Sequence, residues 1–271
     1  MSPNVLHKLN LDGKTVIVTG GGTGLGREMA LALARAGADL VIVGRRAGPI
    51  EETAGLARES GTQAVAVPTD VTDSAQVRRL CDGAVDRFGK VDALVNNAGM
   101  VGGHGGVPIW EVSDREWRAG LDANLTGAFY CSRAIARHMV DRGAGKIINV
   151  SSGFGLRGGR DNYVYACAKA GTVQLTRVLA TSLGRHGVTS NCIVPGFFPT
   201  EGTSSSAMTL PRAEFIPVGR VGDPSELGPI AVFLASEASD YMNGELMTID
   251  GGGLAGGYAP TGYSLTIPLD I

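Results

Sequence analysis

Charge and aromatic residues are scarce in this chain. Only 18% of its 271 residues are charged and 6% aromatic, and Lys plus Arg (24) nearly balance Asp plus Glu (26) for a formal net charge of −2. That balance excludes the basic footprint of a nucleic-acid binder. The 44% hydrophobic content excludes a disordered chain. Cysteine is also sparse: Cys81, Cys131, Cys167 and Cys192 form no C-x-x-C pair. They are too few for a disulfide scaffold, and their spacing suits no metal site. They are expected to be buried, reduced thiols. No apolar run approaches the ~20 residues that span a membrane. Met1 to Leu11 carries no apolar signal core, so the expectation is a cytoplasmic protein with no membrane partner. In that setting the sequons at Asn124 and Asn149 are accidental. No G-x-S-x-G occurs, which excludes an α/β-hydrolase.

Glycine is abundant instead, 41 of 271 residues, about twice the usual share. It follows no Gly-X-Y period and gathers in clusters. A chain of this mass exposes roughly 11,000 Å² when folded against about 40,000 Å² unfolded, so a large core is available. With no repeat, linker or composition break, residues 1–271 read as one domain.

Short β-branched runs alternate with longer amphipathic ones. The runs Thr15–Thr19, Leu40–Val43, Ala64–Val67, Ala93–Asn96, Lys146–Val150, Val188–Val194 and Glu245–Ile249 predict seven strands. Helices are predicted at Arg27–Ala36 and at about 48–60, 73–88, 113–140, 162–185 and 224–236. Nearly all-apolar strands separated by helices indicate a parallel sheet covered on both faces. Right-handed crossovers make it α/β, a doubly wound Rossmann fold. Two segments fit no element: 99–108, and the Pro/Ser/Thr-rich 197–217, which reads as a substrate-loop insertion.

After the first strand comes Thr19-Gly20-Gly21-Gly22-Thr23-Gly24-Leu25-Gly26 and then a helix. A glycine-rich turn opening a helix brings backbone N–H groups and the helix dipole to a pyrophosphate. The spacing of Gly20, Gly24 and Gly26 departs from G-x-G-x-x-G. A P-loop is the weaker reading, since Gly13-Lys14-Thr15 precedes the strand and Lys8 stands where the upstream glycine is required. The second strand runs into Gly44-Arg45-Arg46, with Arg45 19 positions after Gly26. An acidic residue there would hold a ribose 2′-hydroxyl, whereas a guanidinium can bind a 2′-phosphate. NADP(H) is therefore favoured over NAD(H), with Arg46 a second contact.

Further pieces fall at strand ends on the same side of the sheet, where ligands bind in such folds: Asp70-Val71, Asn96-Asn97-Ala98-Gly99 and Ser151-Ser152. In Tyr165-Ala166-Cys167-Ala168-Lys169, the i, i+4 spacing puts Tyr165 and Lys169 on one helix face. A nearby ammonium favours the phenolate, so the tyrosine pKa is expected to fall toward neutrality.

Together the glycine turn, Asn96-Asn97-Ala98-Gly99, Asn124, Ser152 lying 13 residues before Tyr165, Tyr165-x3-Lys169, Pro195-Gly196-Phe197-Phe198-Pro199-Thr200 and Asp250-Gly251-Gly252 resemble a short-chain dehydrogenase/reductase. The resemblance covers roughly residues 10 to 252 and leaves 253–271 as a C-terminal extension. It implies an oxidoreductase interconverting a ketone and a secondary alcohol by hydride transfer, with Tyr165 as general acid/base. It further implies that Lys169 lowers the tyrosine pKa and binds the nicotinamide ribose, that Ser152 holds the substrate oxygen, and that Asn124 positions a relay water. For the cofactor it implies contacts from Gly20, Gly22, Thr23, Gly24, Leu25 and Gly26 in the turn. Asp70 and Val71 would meet adenine, and Asn97, Ala98 and Gly99 the ribose. Pro195, Gly196, Phe198 and Thr200 would surround the nicotinamide, beside Tyr165 and Lys169.

The resemblance leaves the substrate open among a 3-oxoacyl thioester, a keto-sugar acid and a xenobiotic ketone. A dinucleotide-binding regulator without activity is the alternative of another class. It is disfavoured because all four catalytic positions are filled. The small residues Ala166, Ala168, Ala170, Gly171 and Thr172 suggest close helix packing across a two-fold axis, in a homodimer or homotetramer. Among residues outside the motifs, His104 reads as a loop histidine, Phe154 and Arg157 as facing the substrate cleft, with Arg157 either a carboxylate or phosphate contact or a solvated arginine, and Phe197, Phe198 and Met208 as lying on the loop. Trp110 and Trp117 read as packing residues.

Overall fold

A computed structural model describes residues 5–100, 107–201 and 213–256. Seven parallel strands, β1 (Thr15–Thr19), β2 (Asp39–Gly44), β3 (Ala64–Pro68), β4 (Ala93–Asn96), β5 (Gly145–Val150), β6 (Val188–Pro195) and β7 (Leu246–Ile249), lie in the order 3-2-1-4-5-6-7. The order reverses between β1 and β4, the crevice where open α/β sheets bind ligands.

Alternation explains why the strands are apolar throughout. Val16, Val18, Leu40 and Ile42 point to one face, onto helices α1 (Gly24–Arg35), α2 (Ala47–Arg58) and a C-terminal helix, α7 (Gly228–Ala235). Ile17, Val41, Val43 and Leu94 point to the other, onto α3 (Ser74–Phe88) and α5 (Gly127–Arg142), with α6 (Tyr163–Leu183) at its margin. Met29, Leu33, Ile135 and Met139 are fully buried between sheet and helices. Burying such side chains supplies ~1.5–3 kcal/mol each.

Two predicted helices are interrupted. The expected helix 113–140 is α4 (Asp114–Leu121), a π-helical turn at Asp122–Thr126, and α5. The widened turn leaves the Gly120 carbonyl to the Asn124 side chain, whose Nδ2 donates to it (3.0 Å). Such π turns gather at functional positions and leave no mark in the apolar periodicity. The expected helix 224–236 is a 3-10 turn, Pro224–Leu227, followed by α7. Pro229 has no N–H and would clash with the carbonyl four residues back, so α-helical bonding cannot run through it.

Other expectations need correction. Cys81, Cys131 and Cys192 are buried, but Cys167 is exposed on α6. Trp110 is 82% exposed and Trp117 38%, so neither packs in the core. Of the small residues of α6, Ala168 and Thr172 are buried against their own fold and Gly171 accommodates Leu125, whereas Ala166 is half-buried and Ala170 exposed. His104 and Met208 lie outside the described residues, as do most of the loop and the extension.

Candidate active site

The turn after β1 is built by close approach. Gly20 has φ +64°, and a Cβ there would stand 2.8 Å from Asn97 Nδ2; a Cβ on Gly26 would overlap the Gly20 carbonyl. The Asn97 side-chain amide is engaged within the fold. Its Nδ2 donates to the Thr19 (3.1 Å) and Gly20 (3.3 Å) carbonyls, tying the turn to β4. The Thr19 hydroxyl accepts from the Asn97 and Ala98 N–H groups (both 3.0 Å) and so fixes the same junction.

No side chain caps the start of α1, because Thr23 makes no such bond. The first N–H groups of a helix have no internal partner, so this end suits an anion. It opens on a cleft of about 480 Å³ whose walls include Gly20, Gly22, Thr23, Arg45, Arg46, Asp70, Val71, Ala98 and Gly99. Arg45 and Arg46 are exposed. The Asp70 carboxylate accepts from the Thr72 N–H (3.0 Å) and hydroxyl (2.8 Å), and Val71 packs on Gly127. Thr200 brings the loop after β6 against Gly24. Gly196 follows Pro195 at the end of β6, where its missing side chain leaves room for Asp250. Phe198 is buried in the hydrophobic core, seated against Gly222, and the partly buried Leu25 packs against that core.

Two of the candidate catalytic side chains, Asn124 and Lys169, meet at Gly99. A Cβ on Gly99 would stand 2.5 Å from Asn124 Oδ1 and 3.6 Å from Lys169 Nζ. Asn124 Oδ1 accepts from the Met100 N–H (3.1 Å). Lys169 is 5% exposed; its Nζ donates to the Val150 carbonyl (2.9 Å) and stands 5.6 Å from the Tyr165 ring centroid. Burial lowers its pKa to about 8. The expected lowering of the Tyr165 pKa is not found. Desolvation raises it, and a hydrogen bond with the Ser152 hydroxyl only partly opposes this. Tyr165 is therefore a phenol at neutral pH.

Beneath these groups runs a polar ladder that the sequence reading missed. Asn96 Nδ2 donates to Ser132 Oγ (3.0 Å) and Asn149 Oδ1 (2.9 Å), and Asn149 Nδ2 to Thr176 Oγ1 (3.0 Å). The Thr176 hydroxyl donates to the Thr172 carbonyl (2.9 Å), and the Thr172 hydroxyl to the Asn124 carbonyl (3.1 Å). All five side chains are buried. The ladder joins β4 and β5 to the helix carrying Tyr165 and to the π turn carrying Asn124. The signal available was asparagine inside two otherwise apolar strands.

With this geometry in hand, comparison with known proteins is direct. The chain belongs to the short-chain dehydrogenase family, whose model, described as short chain dehydrogenase, matches residues 14–210. It is 37% identical over 256 residues to a 2-dehydro-3-deoxy-D-gluconate 5-dehydrogenase of Dickeya dadantii, covering 93% of this chain and 99% of that one. It is 38% identical over 248 residues to a 5-keto-D-gluconate 5-reductase of Escherichia coli, covering 90% and 96%. A crystal structure of a gluconate 5-dehydrogenase from Burkholderia cenocepacia, in complex with NADP and tartrate, superimposes with a TM-score of 0.87 at 36% identity, covering 93% and 99%. The chain is an oxidoreductase acting on CH–OH groups. Among the described residues no helix is long and apolar enough to cross a membrane.

Proposed function

We propose that this chain interconverts a keto-sugar acid and its secondary alcohol with NADP(H). The observation that carries the reading is the meeting of Asn124 and Lys169 at Gly99, with the Tyr165 ring over Lys169, beside an uncapped helix terminus and two exposed arginines. Gly20, Gly22, Thr23 and the N–H groups opening α1 would hold the diphosphate, and Gly24 and Gly26 allow the approach. Arg45 and Arg46 would hold the 2′-phosphate, Asp70 and Val71 the adenine, and Thr200 with Pro195 and Gly196 the nicotinamide end. The chemistry supplied by the bound nicotinamide is hydride transfer.

The residues of this chain handle the proton. Tyr165, held protonated by burial, donates to the substrate oxygen in the reductive direction and takes the proton back in the oxidative one. Ser152 hydrogen-bonds both Tyr165 and the developing alkoxide. Lys169 orients the ribose and, with Asn124, passes protons to the phenol. Sugar-acid relatives at 37–38% identity favour a keto-sugar acid over a thioester or a xenobiotic ketone. We further propose a homodimer or homotetramer. Phe129 (42% exposed) on α5 and Val178 (51% exposed) on α6 are apolar residues available to a second copy.

The test is a ketone and alcohol panel run with both cofactors on the wild type and Arg45→Asp at one ionic strength. A charge-assisted guanidinium–phosphate contact contributes about tenfold or more in affinity. Arg45→Asp is expected to raise KM for NADPH at least about tenfold and to leave KM for NADH unchanged or lower. Equal wild-type efficiency with the two cofactors, or unaltered NADPH kinetics in the variant, would remove the NADP(H) assignment. Absence of turnover on any keto-sugar acid would remove the substrate class.

A further inference from the structure

The turn that carries Ser152 also carries a cation. Ser152 accepts from the Phe154 N–H through its hydroxyl (3.2 Å) and from the Gly155 N–H through its carbonyl (2.8 Å). The Gly153 carbonyl accepts from Leu156 (3.1 Å) and Arg157 (3.2 Å). Arg157 is thus fixed on the same tight turn as Ser152. The Phe154 ring lies edge-on to Tyr165, centroids 6.4 Å apart at 78°. The Arg157 guanidinium lies over that same ring, 5.9 Å from its centroid. Gly159 makes this placement possible, since a Cβ there would stand 2.6 Å from the Phe154 ring. Two aromatic spacings therefore separate Tyr165 from a positive charge.

Arg157 is exposed, and among the described residues no carboxylate pairs with this charge. The acid nearest in sequence, Asp161, accepts from the Tyr163 hydroxyl (3.1 Å) and pairs with Arg160 (3.6 Å). Asp250, beyond the Leu254 side chain that abuts Gly153, is occupied by the N–H groups of Gly252 (2.9 Å) and Leu254 (2.6 Å). A guanidinium stacked on a ring keeps its in-plane N–H fork available, the geometry that grips a carboxylate in two parallel hydrogen bonds.

We propose that Arg157 binds the carboxylate of the substrate and so selects anionic ketones over neutral ones. The inference rests on the reading of the chain as a keto-sugar acid oxidoreductase and assigns that substrate's charged end. A molecule with its ketone at Tyr165 and its acid group farther along the chain would span Phe154 to reach Arg157. Phe154 acts as the platform that holds the guanidinium at that reach.

The experiment compares kcat/KM for 5-keto-D-gluconate and for its uncharged methyl ester, with NADPH, in the wild type, Arg157→Ala and Arg157→Lys. NADPH affinity and melting temperature are measured alongside, to establish that each variant is folded. Wild type is expected to prefer the acid by about tenfold or more, the range of a charge-assisted bidentate contact. Arg157→Ala is expected to erase most of that preference through KM for the acid, and Arg157→Lys to restore part of it. An equal loss on acid and ester would assign Arg157 a structural role through Phe154 and overturn the proposal. A wild-type preference that survives Arg157→Ala would overturn it too, while leaving the substrate class standing. Turnover of other ketones with none of either gluconate form would instead bring down the reading on which it rests.

Discussion

The two edges of the sheet solve opposite problems. At the edge where the strands begin, side chains satisfy the backbone. Asp92 accepts from the Thr15 N–H (2.9 Å), Asp39 from Gln63 (2.7 Å), Asn243 from Ser190 (2.9 Å) and His138 from Val91 (3.2 Å). Arg142 pairs with Asp92 (2.9 Å) and Lys146 with Asp240 (2.9 Å). At the edge where the strands end, backbone and charge are left open. The first turn of α1 has no side-chain cap, Lys169 is buried with its pKa lowered, and three arginines, 45, 46 and 157, are exposed. One edge is tuned for stability. The other keeps unsatisfied groups that a ligand can satisfy, which costs stability in the unliganded protein.

The sharpest way to break this comparison is Tyr165→Phe. The ring and its packing remain, and only the hydroxyl shared with Ser152 is lost. General acid–base catalysis contributes about 10²–10⁴-fold, so kcat is expected to fall by at least about a hundredfold with no fall in melting temperature. Retention of a tenth of wild-type kcat would leave less than ~1.4 kcal/mol of barrier to the hydroxyl and end the acid/base assignment.

The open edge was also the more legible in sequence. Its demands fall on residue types that little else explains: glycines spaced for close approach, an asparagine pair, and a tyrosine and a lysine one helical turn apart. The sheet was legible because burial on both faces forces apolar runs. The π turn at Asn124 was not, since its sequence stays amphipathic through the break. The Tyr165 pKa was read in the wrong direction because spacing reveals a neighbouring ammonium but not the burial that outweighs it. The burial of Phe198 against Gly222 was not legible either, since Gly222 approaches it from across the fold.

A middle-sized effect is expected from Lys169→Met, which keeps volume and removes the buried amine. Activity is expected to be lost, while unfolding free energy at pH 7 rises by about 1 kcal/mol or more, as when buried charges are replaced by apolar groups. The pH dependence carries the test. The folded lysine titrates near 8 against 10.5 for the free side chain, so across that window the unfolded chain binds more protons. Wild-type stability therefore gains from this residue as pH rises from about 8 to about 10, and the advantage of the methionine variant shrinks. The Cys81 and Cys131 thiols titrate alike in both proteins and cancel in the difference. Cys192, pushed up to about 11 by burial against the pull of Lys169, is coupled to the substitution but stays a thiol over most of this window. Parallel stability curves for the two proteins from pH 7 to 10 would mean that Lys169 is not held below its ordinary pKa.

The smallest effect probes the closed edge. His138 Nε2 can accept the Val91 N–H only while the ring is neutral. Desolvation first, and then the positive charge of Arg142, lower its pKa below the ordinary 6.5, against the opposing pull of Asp92 and Asp141. A histidine with a lowered folded pKa supports the fold above the unfolded value and withdraws that support as pH falls through the folded one. Much of the ring is solvated, so the contribution is a fraction of 1 kcal/mol, or about 1 °C in melting temperature. His138→Gln keeps an acceptor for Val91 but has no titration. Its melting temperature is expected to match the wild type at pH 7.5 and to fall less between pH 6.5 and 5. Catalytic efficiency should be unaltered, because the change lies at the opposite edge of the sheet from Tyr165. If the two proteins lose stability in parallel over that range, the loss does not come from this ring; Asp92, whose carboxyl burial would raise but the Thr15 N–H and Arg142 hold below its ordinary 3.8, withdraws support only below about pH 5. The histidine would then be a neutral spacer.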